Sequence, residues 1–173
     1  TLNPVKPALL SCRFSRIEKG ASATSEKDIL KRNWLQFDID AIRPKASELS
    51  ASNEEHEKAL KFTHELNGFI KTDFLAPDRL MGDSGNGGHL LYRIDLPNDV
   101  DDGDSKRLVE KCQKAVIQKY NDPDTGTDIQ GFFDANRIWK LYGTIARKGD
   151  SVPEIPERQH RNSKFIHTPD KIV

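Results

Sequence analysis

Trp34-Leu35-Gln36-Phe37-Asp38-Ile39-Asp40 is the stretch on which the reading of this chain turns. In a β-strand successive side chains point to opposite faces, so residues i and i+2 share one. The pattern predicts a strand that buries Leu35, Phe37 and Ile39 and sets Asp38 and Asp40 side by side on its other face. Carboxylates that close repel each other unless protons, basic side chains or divalent cations compensate. A hard cation such as Mg²⁺ is held by one or two carboxylates together with substrate phosphates. The pair is therefore a candidate metal platform for phosphate chemistry. The same pattern also fits the solvated face of an amphipathic strand, and D-x-D is shared by glycosyltransferases, nucleases and phosphatases.

Working outward, strands are predicted at Leu9 to Ile17, Ile29 to Ile42, His89 to Leu96 and about Asp128 to Asp134. Ser52-Asn53-Glu54-Glu55 is a capping box. It opens a predicted helix whose apolar positions are Leu60, Phe62, Leu66, Phe69 and Ile70. The acidic run Asp99 to Asp104 reads as a solvated loop and helix start. A second helix follows, with Leu108, Val109, Cys112, Val116 and Tyr120 as its expected buried stripe, and Asn121 to Gly126 ends it with turn chemistry. Strands interleaved with helices place the chain in the α/β or α+β class.

The chain of 173 residues is long enough for one domain, or two small modules sharing a core. Lys+Arg and Asp+Glu number 27 each, and this neutrality argues against a simple electrostatic nucleic-acid glue. Cys12 and Cys112 match no zinc spacing, and so few cysteines imply a reducing, cytoplasmic setting. Neither a signal peptide nor an apolar run of about 18 residues is visible, so no membrane partner is expected. A start at Thr1 rather than Met suggests a domain excised from a longer protein.

Two further segments carry chemistry. Ser84-Gly85-Asn86-Gly87-Gly88-His89 frees the backbone for close approach to a ligand, and consecutive N–H groups there can form an anion-binding nest. His89 is placed to donate a hydrogen bond to phosphate; the alternative is a glycine-rich hairpin with a structural histidine. From Asp134 to Asp150, cations alternate with apolar and small residues, which suits triphosphate binding or a basic surface helix and loop. Together, a carboxylate pair, a glycine loop ending in His and a late Arg/Lys segment are what nucleotide addition with two metal ions requires.

Phe37 to Pro44, Ser84 to Pro97 and Arg137 to Thr144 resemble the primase-polymerase branch of the archaeo-eukaryotic primase superfamily, in forms carried by phages, plasmids and CRISPR-associated proteins. The resemblance spans nearly the whole chain, with Asn3-Pro4 and Leu9-Leu10 like the family's opening and Arg158 to Ser163 like its close. It implies an α+β primase fold over residues 1–173, an N-terminal α/β module packed on an RRM-like module with the active site between them. It implies template-directed nucleotidyl transfer that makes or extends primers on single-stranded DNA, using nucleoside triphosphates and two Mg²⁺ or Mn²⁺ ions. Other domains of a parent protein, a helicase or CRISPR adaptation proteins, are implied partners. Asp38 and Asp40 take the place of the metal ligands; Ser84 and His89, with Gly87 and Gly88, take the place of the nucleotide-phosphate contacts. The family's third aspartate has no clean match. Asp128 stands about one residue early and Asp134 several late; a one-residue slip turns a side chain to the wrong face unless Gly131 marks a bulge. Asp128 is preferred, with Asp134 as the alternative ligand. Arg137, Lys140 and Lys148 are the expected triphosphate or template contacts, followed by Arg147 and Arg161.

Two other functions compete. A catalytically silent single-stranded nucleic-acid binding module on the same fold has no use for two retained acids that repel phosphate. A metal nuclease or nicking domain usually needs an H-x-H pair, which His56, His64, His89, His160 and His167 do not form.

Overall fold

The computed structural model describes residues 12–14, 25–43, 48–76, 79–98, 103–148 and 158–169. Within them lie β1 (Cys12–Phe14), β2 (Ile29–Ala41), α1 (Asn53–Phe74), β3 (Arg79–Asp83), β4 (Gly87–Pro97), α2 (Asp104–Tyr120), β5 (Thr127–Gly131), β6 (Ile145–Ala146), β7 (Arg161–Asn162) and β8 (Lys164–His167). The class is α+β. Six strands form one antiparallel sheet in the order β1-β2-β4-β3-β8, with β5 also paired to β2, while β6 and β7 make a separate ribbon. The expected Asn3-Pro4, Leu9-Leu10, Pro44, Asp99 to Asp102, Gly149 and Asp150 features lie outside the described residues.

The acidic stretch sits inside β2, whose C-terminal part is paired on both edges, by β4 and by β5. Its alternation does what the sequence requires: Phe37 and Ile39 are fully buried and Leu35 half-buried, while Asp38 and Asp40 take the other face. Both helices lie on the apolar face. Phe62, Leu66 and Ile70 of α1 and Val116 of α2 pack with Phe37, Ile39, Leu90, Tyr92 and Ile129 of the sheet.

The capping box of α1 is formed. Ser52 Oγ accepts the Glu55 amide at 3.2 Å and the Glu55 carboxylate accepts the Ser52 amide at 2.7 Å. Of the stripe expected on α1, Leu60 is half-buried and Phe69 turns outward, where its ring stacks on Tyr120 at 5.3 Å.

On α2 the expected stripe is rotated. Val109 and Val116 are buried, but Leu108 and Cys112 are exposed and Gln113 is buried in their place. Positions 109, 113, 116 and 120 make one helical seam, and a neighbour such as 108 or 112 lies about 100° off it. A polar residue fits this seam because its amide has work there: Gln113 Nε2 donates to Gln36 O at 2.8 Å and to Phe132 O at 3.1 Å. Gln113→Leu strips two carbonyls of their donor and is expected to lower stability by about 1–3 kcal/mol. Urea unfolding measures this, and an unchanged midpoint would show that the two bonds contribute nothing.

Among the described residues, the opposite face of the sheet is covered only in part. Trp139 packs over Trp34, Leu80 and Leu91, which draws the 132–144 segment across the sheet. That segment is made of turns and irregular chain, so the alternative of a basic surface helix is corrected. Trp139 on the Trp34, Leu80 and Leu91 cluster and the Tyr142 hydroxyl on His89 anchor this irregular segment to the sheet. The part that no described residue covers, at the C-terminal end of β2, is where the acids stand. No helix among the described residues is long and apolar enough to cross a membrane.

Candidate active site

A cleft of about 440 Å³ opens on this face, lined by Asp38, Asp40, Ser84, Asn86, His89, Arg137, Trp139, Lys140, Arg147 and Lys148 among others. Strand register explains how the distant segments meet. Asp38 stands directly opposite His89, and Asp40 directly opposite Gly87 on β4 and Asp128 on β5. Residues directly opposed across an antiparallel pair share a face. The acidic pair and the histidine therefore meet because of backbone pairing.

The two carboxylates are compensated unequally. Asp38 Oδ1 lies 3.3 Å from His89 Nε2 without hydrogen-bond alignment, and this buried oxygen has no hydrogen-bond partner among the described residues. Asp40 is 3.7 Å from Lys148 Nζ and 3.8 Å from the Arg43 guanidinium. Burial first, then the neighbouring Asp38 charge, pushes the Asp40 carboxyl above the ordinary carboxylate value, with Lys148, Arg43 and His89 pulling against them. A pair in this condition favours a bound cation.

The turn before His89 is held from within. Ser84 Oγ accepts the amides of Asn86 at 3.2 Å and Gly87 at 3.0 Å, and the Gly85 amide donates to Asp83 Oδ1 at 2.7 Å. These amides are spent on the turn itself, so the expectation of an anion-binding nest is corrected. Gly87 and Gly88 are buried and do not line the cleft; they let β4 approach β2 and α1 closely. Ser84 and His89 do line it.

Asp83 anchors the turn to α1, because His56 Nε2 lies 2.8 Å from the same Oδ1. Burial opposes charge on Asp83. Hydrogen bonds from His56 and Gly85, with the charges of His56 and Lys164, outweigh it and hold the carboxyl below 3.8. An acid whose folded value is lowered stabilises the fold above its unfolded value, and that stabilisation is lost as pH falls through the folded value. Asp83→Asn is expected to cost about 1–2 kcal/mol at neutral pH, the difference between charge-assisted and neutral bonds. The gap from the parent should close below pH 3.8, as melting temperatures across pH would show. A gap that persists there would rule out the charge as its cause.

The later cations divide. Arg137, Lys140, Arg147 and Lys148 line the cleft, and the Arg137 guanidinium lies 4.1 Å over the Phe132 ring. Arg161 does not line it. Its guanidinium bonds Ala51 O at 2.7 Å and Asn53 Oδ1 at 2.6 Å, and Arg158 grips Glu55 and Ser50 O, so the basic tail clamps the start of α1.

The two candidate third acids part company as well. Asp128 faces the Asp40 side of the sheet with no bulge at Gly131, since the β2–β5 register runs unbroken from Phe37 to Ala41. Its carboxylate accepts from Asn121 Nδ2 at 3.0 Å and Gln130 Nε2 at 3.3 Å and does not line the cleft. Asp134 pairs with Lys106 at 3.1 Å beside Glu26, at the opposite end of β2. Among the described residues no three His, Cys, Asp or Glu side chains converge at metal-binding distance.

Sequence reasoning assigned no role to Arg43, Asn86, Trp139 or Tyr142. Arg43 was within reach, three residues beyond Asp40 on the same stretch. Trp139 and Tyr142 had no such signal, because their contacts with His89 cross the fold. No protein-family model, no curated protein and no solved structure matches this chain.

Proposed function

We propose that this chain is a primase-polymerase catalytic core that adds nucleotides to a primer on single-stranded DNA. The observation that carries the reading is the meeting of Asp38, Asp40 and His89 with four cations in one cleft. The finer fold assignment, two modules of the archaeo-eukaryotic primase type, is part of the same proposal.

The donor set fits a divalent cation: two hard carboxylates on one strand face, one with a buried oxygen lacking a partner, the other with its proton affinity raised. Asp38 and Asp40 would hold Mg²⁺ or Mn²⁺. A cation held by these two acids would supply charge neutralisation for phosphoryl transfer. The protein's own groups do the rest. Arg137, Lys140 and Lys148 bind the triphosphate, and His89 donates from Nε2 to a phosphate oxygen. The primer 3′-hydroxyl attacks the α-phosphate, its proton passes to solvent, and pyrophosphate leaves.

The second reading, a silent nucleic-acid binding module, is favoured by the Arg43 and Lys148 pairing of Asp40, which balances that charge internally. Incubating the chain with a labelled primer–template, nucleoside triphosphates and Mn²⁺ separates the two. Extended primers are expected; tight template binding with no extension in Mg²⁺ or Mn²⁺ would overturn the enzyme reading.

A further inference from the structure

Behind His89, away from the cleft, Tyr142 is buried with its hydroxyl 2.7 Å from His89 Nδ1. We propose that Tyr142 is a positioning residue, donating its hydroxyl to Nδ1 and so presenting Nε2–H of His89 to the cleft. The inference rests on the proposed function for its consequence in nucleotide addition, and on geometry alone for the arrangement itself.

On the cleft side, Nε2 lies 3.3 Å from a carboxylate oxygen of Asp38, an acceptor. A neutral imidazole carries one N–H, so with that proton on Nε2 the other nitrogen must accept. The Tyr142 hydroxyl is the donor in reach. Burial, with the charges of Asp38 and Asp83 adding, pushes the phenol further from ionisation and keeps it a donor.

The seat of the tyrosine is built into the sheet. Gly82 on β3 stands directly opposite His89, and a Cβ there would land on the Tyr142 hydroxyl and ring. A side chain at that position would fill the space Tyr142 needs. The Tyr142 ring packs on Phe165 at 4.4 Å and meets the imidazole edge-on at 5.7 Å, while Trp139 covers the imidazole at 4.6 Å. Backbone bonds of 2.8 Å from Gly143 N to Ser163 O and 2.9 Å from Ser163 N to Thr144 O hold the segment that carries it.

A tyrosine that merely filled space would be replaced by phenylalanine without effect. The test is ¹⁵N spectroscopy of histidine-labelled protein, with His89 assigned from the loss of its signals in His89→Gln. The wild type is expected to show Nε2 protonated and Nδ1 bare. Tyr142→Phe, which keeps the ring, is expected to lose that single state and to raise the nucleotide KM in primer extension about 10–100-fold, the scale known for partners behind metal-bound histidines. Gly82→Ala, if folded, should give the same signature by displacing the tyrosine. A wild-type His89 protonated on Nδ1, or a Tyr142→Phe protein with unchanged signals and KM, overturns the proposal. A wild type with the expected signals, lost in Tyr142→Phe, that extends no primer supports the positioning role and overturns the function instead.

Discussion

Converting Asp38 and Asp40 together to asparagine is expected to abolish primer extension while leaving the fold intact. Loss of a preorganised electrostatic group in an active site lowers turnover by about 10²–10³-fold, and removing both carboxylates that would hold the cations should exceed that. Stability should move the other way. Burial and mutual repulsion raise the Asp40 carboxyl above its ordinary value, so its charge opposes folding once pH rises above 3.8, and a neutral amide removes that opposition. The melting temperature is therefore expected to hold or rise. Added Mg²⁺ or Mn²⁺ should raise the wild-type melting temperature by mass action and leave the double variant unmoved. A variant that still extends primers at the parent's rate would end the catalytic reading. One equally stabilised by the cations would place the metal elsewhere.

Gly87→Ala is expected to be the most destabilising single methyl that this sheet can receive. The new Cβ would fall on the carbonyl oxygen of Ile39, and close to its carbon and to Asp40 Cα. All three are backbone atoms of a strand paired on both edges, so no side chain can rotate away. Overpacking of this kind costs about 1–3 kcal/mol where side chains yield and more where backbone must move. About 3 kcal/mol corresponds to a fall of roughly 6–12 °C in melting temperature for a chain of this size. The displaced residues are Ile39 and Asp40, so any remaining primer extension should fall as well. Full stability in Gly87→Ala would mean that β2 and β4 lie further apart than described.

Much of this arrangement was legible from local pattern. The alternation around Phe37 and Ile39 fixed which face of β2 is apolar, because a period of two admits only two answers and burial selects one. Ser52 and Glu55 announced the start of α1 by chemistry that operates within one turn. The rotation of α2 was not legible. Leu108 and Cys112 are as apolar as Val109 and Val116, and what decides between them is a pair of carbonyls, on Gln36 and Phe132, to which Gln113 donates.

The site divides along the same line. Asp38, Asp40, Ser84 and His89 could be named because their residue types and short spacings carry chemistry. The third acid could not, because its face depends on strand register: the sequence left Asp128 a residue out of step, and unbroken pairing with β2 sets it opposite Asp40. The glycine loop misled for a related reason, since its free-looking amides close on Ser84 and Asp83.

By itself, then, the sequence determined the strand faces, the first helix start and the acid pair, all set by contacts between near neighbours. Only the tertiary structure decided that Asp134 belongs to Lys106, that Arg158 and Arg161 clamp α1, and that Tyr142 stands behind His89 in the space of Gly82. Those partners lie tens of residues apart, and no local periodicity records which distant side chain a folded sheet will bring into hydrogen-bonding range.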